Sequence, residues 1–149
     1  MMLDDHLWLR RAVELSLKCP PVETAYSVGA IIVSADGIEL SRGYSRENDP
    51  VVHAEESAIA KLSGRSVSLA GATIYSSMEP CSTRRSRPRS CTELILAAGI
   101  SRVVFALQEP VLFADCQGAE LLERAGVQVV RIPAMGPWVR EINGQLLRR

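Results

Sequence analysis

The chain has 149 residues, with seventeen Lys and Arg against seventeen Asp and Glu, 47% hydrophobic residues and 5% aromatics. That composition fits one globular domain with enough core to fold without disulfides or a metal. Zero net charge argues against a general nucleic-acid or membrane-surface binder, and no apolar run approaches the roughly 20 residues that span a bilayer.

The start, residues 1–15, is acidic and lacks the apolar stretch of a signal peptide, so the cytoplasm is the expected compartment. Four cysteines in that compartment point to thiols or metal ligands. Residues 4–18 place Leu7, Leu9, Val13, Leu15 and Leu17 at mostly helical spacing, with Asp4 or Asp5 as a cap. Cys19-Pro20-Pro21 stops that helix. The apolar run 27–34 reads as a buried strand, Ala35-Asp36-Gly37 as a hairpin turn, and 38–45 as the returning strand. A polar loop, 46–52, leads to a helix over about 53–62 that Ser63-Gly64 ends.

Residues 72–78 read as a third strand, 91–98 as a helix stopped by Gly99, and 102–107 as a fourth strand. A helix over 115–125, a strand over 127–132 and an amphipathic helix over 137–148, through Trp138, Val139, Ile142 and Leu146, complete the chain. Strands that alternate with helices predict parallel crossovers and helices on both sheet faces, an α/β chain. No repeat or linker divides it, so residues 1–149 are expected to form one domain. The one break in composition is four arginines within residues 84–89.

His53-Ala54-Glu55 opens the second predicted helix, Pro80-Cys81 follows the third strand, and Cys91 lies beyond the arginine-rich stretch. One imidazole and two thiolates make a three-ligand Zn2+ site whose fourth position is left for water, the pattern of a catalytic zinc. Glu55, too close to His53 in sequence to be a comfortable ligand, is placed to move the protons of that water. His-x-Glu followed by Pro-Cys is the zinc deaminase signature, with the Glu as acid/base. That signature normally separates its cysteines by two residues. Here nine intervene, so the loop 82–90 has to return Cys91 to the metal. Cys116 is the rival third ligand, although it and Cys19 read more simply as core thiols.

The stretches YSVGAIIV, GYSREN, HAEESAIAKL and GATIYSSMEPCS, and the long loop before Cys91, resemble the cytidine-deaminase-like zinc deaminase superfamily. Within it they look like the riboflavin-pathway pyrimidine deaminases of the yeast type. The resemblance covers about residues 5–132. It departs from the bacterial bifunctional branch, because Thr83-Arg84-Arg85 stands where that branch has His-His-Gly after Pro-Cys-Ser. The resemblance also leaves no room in 149 residues for a reductase domain.

The resemblance implies a three-layer α/β/α sandwich with a five-stranded mixed sheet in the order 2-1-3-4-5. It implies hydrolytic deamination of a pyrimidine nucleotide with a phosphorylated ribityl or ribosyl chain, and a homodimer or larger assembly. Candidate substrate contacts are Asn48 near Tyr44, Ser77, Glu79, and one or more of Arg84, Arg85, Arg87 and Arg89 as guanidinium forks for phosphate. Each has a plainer reading: an Asn-Asp turn, support of the loop backbone at Glu79, or a solvated arginine loop. Rival functions are a deaminase of cytosine, deoxycytidylate, guanine or a specialised metabolite, a tRNA editor, and a non-catalytic zinc-binding partner subunit. Glu55 argues against the last, and zero net charge against tRNA. His6 reads as a surface residue, Trp8 and Trp138 as packing residues, and Trp138 with Ile142 and Leu146 also as an oligomer contact.

Overall fold

The structure, a computed structural model, describes residues 4–20, 22, 25–82, 88–108 and 117–144. Helix α1 (Asp5–Leu15) starts where the Asp4 carboxylate accepts the Leu7 N–H at 3.1 Å, and a 3-10 turn, Ser16–Lys18, ends it ahead of Pro20. Its buried stripe runs through Leu9, Ala12, Val13 and Ser16, a helical repeat of three and four. Leu7 and Leu17 fall off that stripe and are 37% and 62% exposed, so the expected row of five apolar positions is only partly a core face.

Strands β1 (Gly29–Val33) and β2 (Glu39–Tyr44) form an antiparallel hairpin whose turn holds Gly37 at φ 87°. After α2 (Ala54–Ala60), β3 (Thr73–Met78) pairs antiparallel with the other edge of β1. Helix α3 (Cys91–Ala98), β4 (Arg102–Leu107), α4 (Gly118–Arg124) and β5 (Gln128–Arg131) follow, and β3, β4 and β5 run parallel. The sheet order is β2-β1-β3-β4-β5, as the resemblance implies. A 3-10 turn, Pro133–Met135, leads into α5 (Gly136–Ile142).

The continuous apolar run of β1 is explained by burial on both faces. Alternation sends Ile31 and Val33 to a core with Leu9, Val13, Tyr75 and Val104 under α1 and α5. It sends Ala30 and Ile32 to a second core with Ala58, Ile74, Ile95, Val103 and Leu122 under α2, α3 and α4. Each large apolar side chain so buried contributes about 1.5–3 kcal/mol. The result is the expected three layers.

Trp138 and Ile142 pack partly against the α1 core, as does Trp8, whose ring lies 6.4 Å from that of Tyr75. His6 is exposed on α1. Leu146 and the beginning of the helix expected from 115 lie outside the described residues. No helix among the described residues is long and apolar enough to cross a membrane.

Candidate active site

The pairing registers bring the ends of β2, β3 and β4 and the start of β1 to one end of the sheet. That is where open α/β sheets bind ligands. His53 is the residue before α2, and its N–H donates to Glu56 Oε1 at 3.3 Å, which anchors the helix start. Cys91 is the first residue of α3. Ser90 Oγ accepts the Glu93 N–H at 3.1 Å and the Ser90 N–H donates to Glu93 Oε1 at 3.4 Å, a capping box that sets where Cys91 stands. Reading by ligand motif missed this brace, although Ser-x-x-Glu before an apolar run is its usual signal.

Cys81 belongs to no helix or strand. Its carbonyl accepts the Thr92 N–H at 3.1 Å and its Sγ accepts the Cys91 N–H at 3.2 Å, so the start of α3 closes over it. His53 Nδ1 lies 3.3 Å from Cys91 Sγ and 3.6 Å from Cys81 Sγ, and all three donor atoms lie within 4.8 Å of one another. A tetrahedral ion bound to nitrogen at about 2.0 Å and sulfur at about 2.3 Å separates those donors by about 3.6 Å. The cluster can therefore hold a metal ion, with one position left over.

The Cys81 thiol is held well below the usual thiol range. The Cys91 side-chain hydrogen bond is the main cause, with help from His53 and the Cys91 N–H, against burial that pushes it up. The thiolate so favoured is the metal-binding form. Glu55, in the first turn of α2 and two residues beyond His53, is 4% exposed.

The family described as the cytidine and deoxycytidylate deaminase zinc-binding region matches residues 2–107. The chain belongs to this family. It is 45% identical over 125 residues to the diaminohydroxyphosphoribosylamino-pyrimidine deaminase of Schizosaccharomyces pombe, covering 83% of this chain and 31% of that protein. Among solved structures it is similar to the diaminohydroxyphosphoribosylaminopyrimidine deaminase/5-amino-6-(5-phosphoribosylamino)uracil reductase of Thermotoga maritima. The TM-score there is 0.82 at 29% identity, over 93% of this chain and 38% of that one. The Aspergillus oryzae Rib2 deaminase in complex with DARIPP gives a TM-score of 0.82 over 93% of this chain and 88% of that one. At 24% identity that likeness is one of fold. The chain spans about a third of the length of the curated relatives it matches.

Of the candidate substrate contacts, Asn48 is exposed in the loop between β2 and α2, and Arg89 is exposed just before α3. Ser77 is fully buried and its Oγ accepts the Gly29 N–H at 3.1 Å. Glu79, 3% exposed, accepts the Ala119 N–H on Oε2 at 3.0 Å. Ser77 and Glu79 thus each hold a backbone N–H. Arg84, Arg85, Arg87 and Cys116 lie outside the described residues. Cys19 is a buried thiol that donates to the Val28 carbonyl at 3.4 Å, in keeping with a core role.

Two further residues at this end of the sheet, both within the GYSREN stretch, were given no role of their own by the sequence. Arg46, at φ 60°, donates to Pro20 O, Tyr26 O and Ser27 Oγ, each at 3.0 Å, and so fastens the loop before β1 to the loop before His53. Its neighbour Glu47 accepts from Ser57 Oγ at 2.8 Å and pairs with Lys61 Nζ at 2.7 Å, which ties the same loop to α2. Asn48 is displayed directly after them.

Proposed function

We propose that residues 1–149 form a zinc-dependent deaminase domain acting on a pyrimidine nucleotide of riboflavin biosynthesis. Its substrate is the diaminopyrimidinone 5′-phosphate bearing a ribitylamino or ribosylamino chain, and it releases ammonia. One observation carries this reading: His53 Nδ1, Cys81 Sγ and Cys91 Sγ converge within 4.8 Å, with the buried Glu55 two residues along the chain. The similarity to a protein named for deamination of such a pyrimidine supports the substrate class.

His53, Cys81 and Cys91 would hold the zinc, which when bound supplies the Lewis acidity that makes water a nucleophile near neutral pH. The Glu55 carboxylate takes a proton from the attacking water and passes it to the ring nitrogen beside the amino-bearing carbon. It then carries the second proton to the departing amine. The carbon–nitrogen bond breaks as the carbonyl forms, and the two protons of water end on the ring nitrogen and on ammonia.

Burial of Glu55 keeps bulk water from competing for those protons. Asn48 would bind a sugar hydroxyl or the ring edge, and Arg84, Arg85 or Arg89 the phosphate. Free thiols kept for metal binding are the common state in a reducing compartment, which fits the cytoplasm. A homodimer or larger assembly is part of the reading; Leu96 on α3 and Leu121 on α4 are apolar positions left partly exposed that such an assembly would cover.

Ammonia release from the zinc-loaded protein, measured against a panel of pyrimidines, tests the reading. The phosphorylated riboflavin precursor is expected to be turned over with the highest kcat/KM. Preference for cytidine, deoxycytidylate or guanine would place the chain elsewhere among deaminases. Zinc binding without ammonia from any of them would make it a non-catalytic partner subunit.

A further inference from the structure

Cys81 has no hydrogen-bond ladder of its own, so its position comes from what grips the segment Glu79-Pro80-Cys81-Ser82. One side is held by the start of α3, through the Cys91 and Thr92 N–H groups. The other side lies on the start of α4, far along the chain. There Ser82 Oγ accepts the Gln117 N–H at 2.9 Å, and Glu79 Oε2 accepts the Ala119 N–H at 3.0 Å. These are N–H groups at a helix start, for which the helix itself supplies no carbonyl partner.

Between the two bonds, Gly118 presses on the Pro80 carbonyl so closely that a Cβ there would collide with the backbone oxygen. Glu79 is 3% exposed, so its carboxylate is buried in this contact rather than held at the surface.

We infer that Glu79, with Ser82 and Gly118, is a positioning residue for metal binding: it latches the Cys81 segment to α4 and so sets Cys81 Sγ against His53 and Cys91. The inference rests on the metal reading above. It assigns Glu79 a role that does not require contact with substrate. Groups that orient a metal ligand without touching the metal cost 10–100-fold in affinity when removed, because the ligand must then be ordered at the moment of binding.

The test is competition between the purified full chain and a chelator for zinc alone, with no substrate present. Glu79→Ala is expected to bind zinc about 10–100-fold more weakly than wild type. Glu79→Gln keeps an oxygen for the Ala119 N–H and is expected to recover most of the affinity. Ser82→Ala, a milder change, is expected to lose less than Glu79→Ala but a measurable amount.

Val13→Ala, a cavity under α1 on the other face of the sheet, serves as the destabilised control and is expected to bind like wild type. Wild-type affinity in Glu79→Ala would overturn the inference, as would an equal loss in Val13→Ala, which would reduce the effect to general stability. If Glu79→Ala does not fold, Ser82→Ala decides, and unchanged affinity there overturns the latch. Failure of the wild-type protein itself to bind zinc would overturn the metal reading and the latch together, and is distinguished by needing no variant.

Discussion

The Cys91 N–H donates to Cys81 Sγ at 3.2 Å, across nine intervening residues. A loop of that length between two candidate ligands looks costly, but closing it entropically is a slow function of length. The bond shows how the cost is met. The start of α3, with its partial positive charge, sits on the Cys81 sulfur and favours its thiolate. The same helix start supplies the second sulfur.

If Cys91 is the third ligand, Cys91→Ser should lose most of its bound zinc, while Cys116→Ser should keep about one ion per chain. Metal analysis of the two purified variants decides between them. Zinc lost in Cys116→Ser and retained in Cys91→Ser would move the ligand to the other cysteine.

Glu55 is buried two residues along the chain from His53, a candidate metal ligand. Glu55→Gln keeps its size and removes its ability to shuttle a proton. Ammonia release should fall about 10²–10⁴-fold, with zinc content unchanged. Near-wild-type turnover in this variant would remove Glu55 from the mechanism.

A separate network governs acid stability. Asp5 accepts from Tyr75 OH at 2.7 Å and from the two terminal nitrogens of Arg102 at 2.7 and 2.5 Å. The Arg102 hydrogen bonds above all, aided by Tyr75 and by the charge of Arg102, hold the Asp5 carboxyl below its usual 3.8 against burial that raises it. Tyr75 moves the opposite way, because burial and Asp5 keep its hydroxyl protonated and donating. A depressed carboxyl adds stability that is complete above its unfolded value and is lost as pH falls through its folded one. Wild-type protein should therefore lose this contribution as pH falls below about 4. Asp5→Asn should be less stable at neutral pH by about 1–3 kcal/mol and show a flatter acid limb. Denaturant titrations across that range measure both, and parallel pH profiles for the two proteins would contradict the network's role.

Arg46 provides a test of strain. Its φ of 60° lies in the left-handed region, which costs a non-glycine residue roughly 1–2 kcal/mol. Three hydrogen bonds from its guanidinium offset that cost. Arg46→Ala removes the bonds and keeps the strain, whereas Arg46→Gly removes both. Both variants should be less stable than wild type, with glycine the better of the two by about 1 kcal/mol. Equal stability of the alanine and glycine variants would mean that the backbone there carries no strain.

The residues that bear on chemistry were legible because they are few in kind and ordered. His53 and Glu55 share a helix start, and Cys81 follows a strand and a proline. The strands were legible because a run such as Gly29–Val33, apolar at every position, suits burial on both faces of a sheet. Helix α1 was less so. Its five spaced apolar residues do not say which stripe meets the sheet, and Leu7 and Leu17 turned out exposed. Glu79 was open to two readings in the sequence, and its bond to the Ala119 N–H gives the carboxylate a definite partner only because α4 arrives beside it.

By itself, then, the order of residues determined the kind of chain, the strand-and-helix succession and which side chains are candidate ligands, since local periodicity and side-chain chemistry are written along the backbone. Only the folded arrangement decided that Cys91 meets His53 and Cys81, that Arg46 ties two loops, and that α4 grips the Cys81 segment. Those contacts join positions 10 to 40 residues apart. Such distances close through packing of the whole sheet and its helices, which no short stretch of sequence contains.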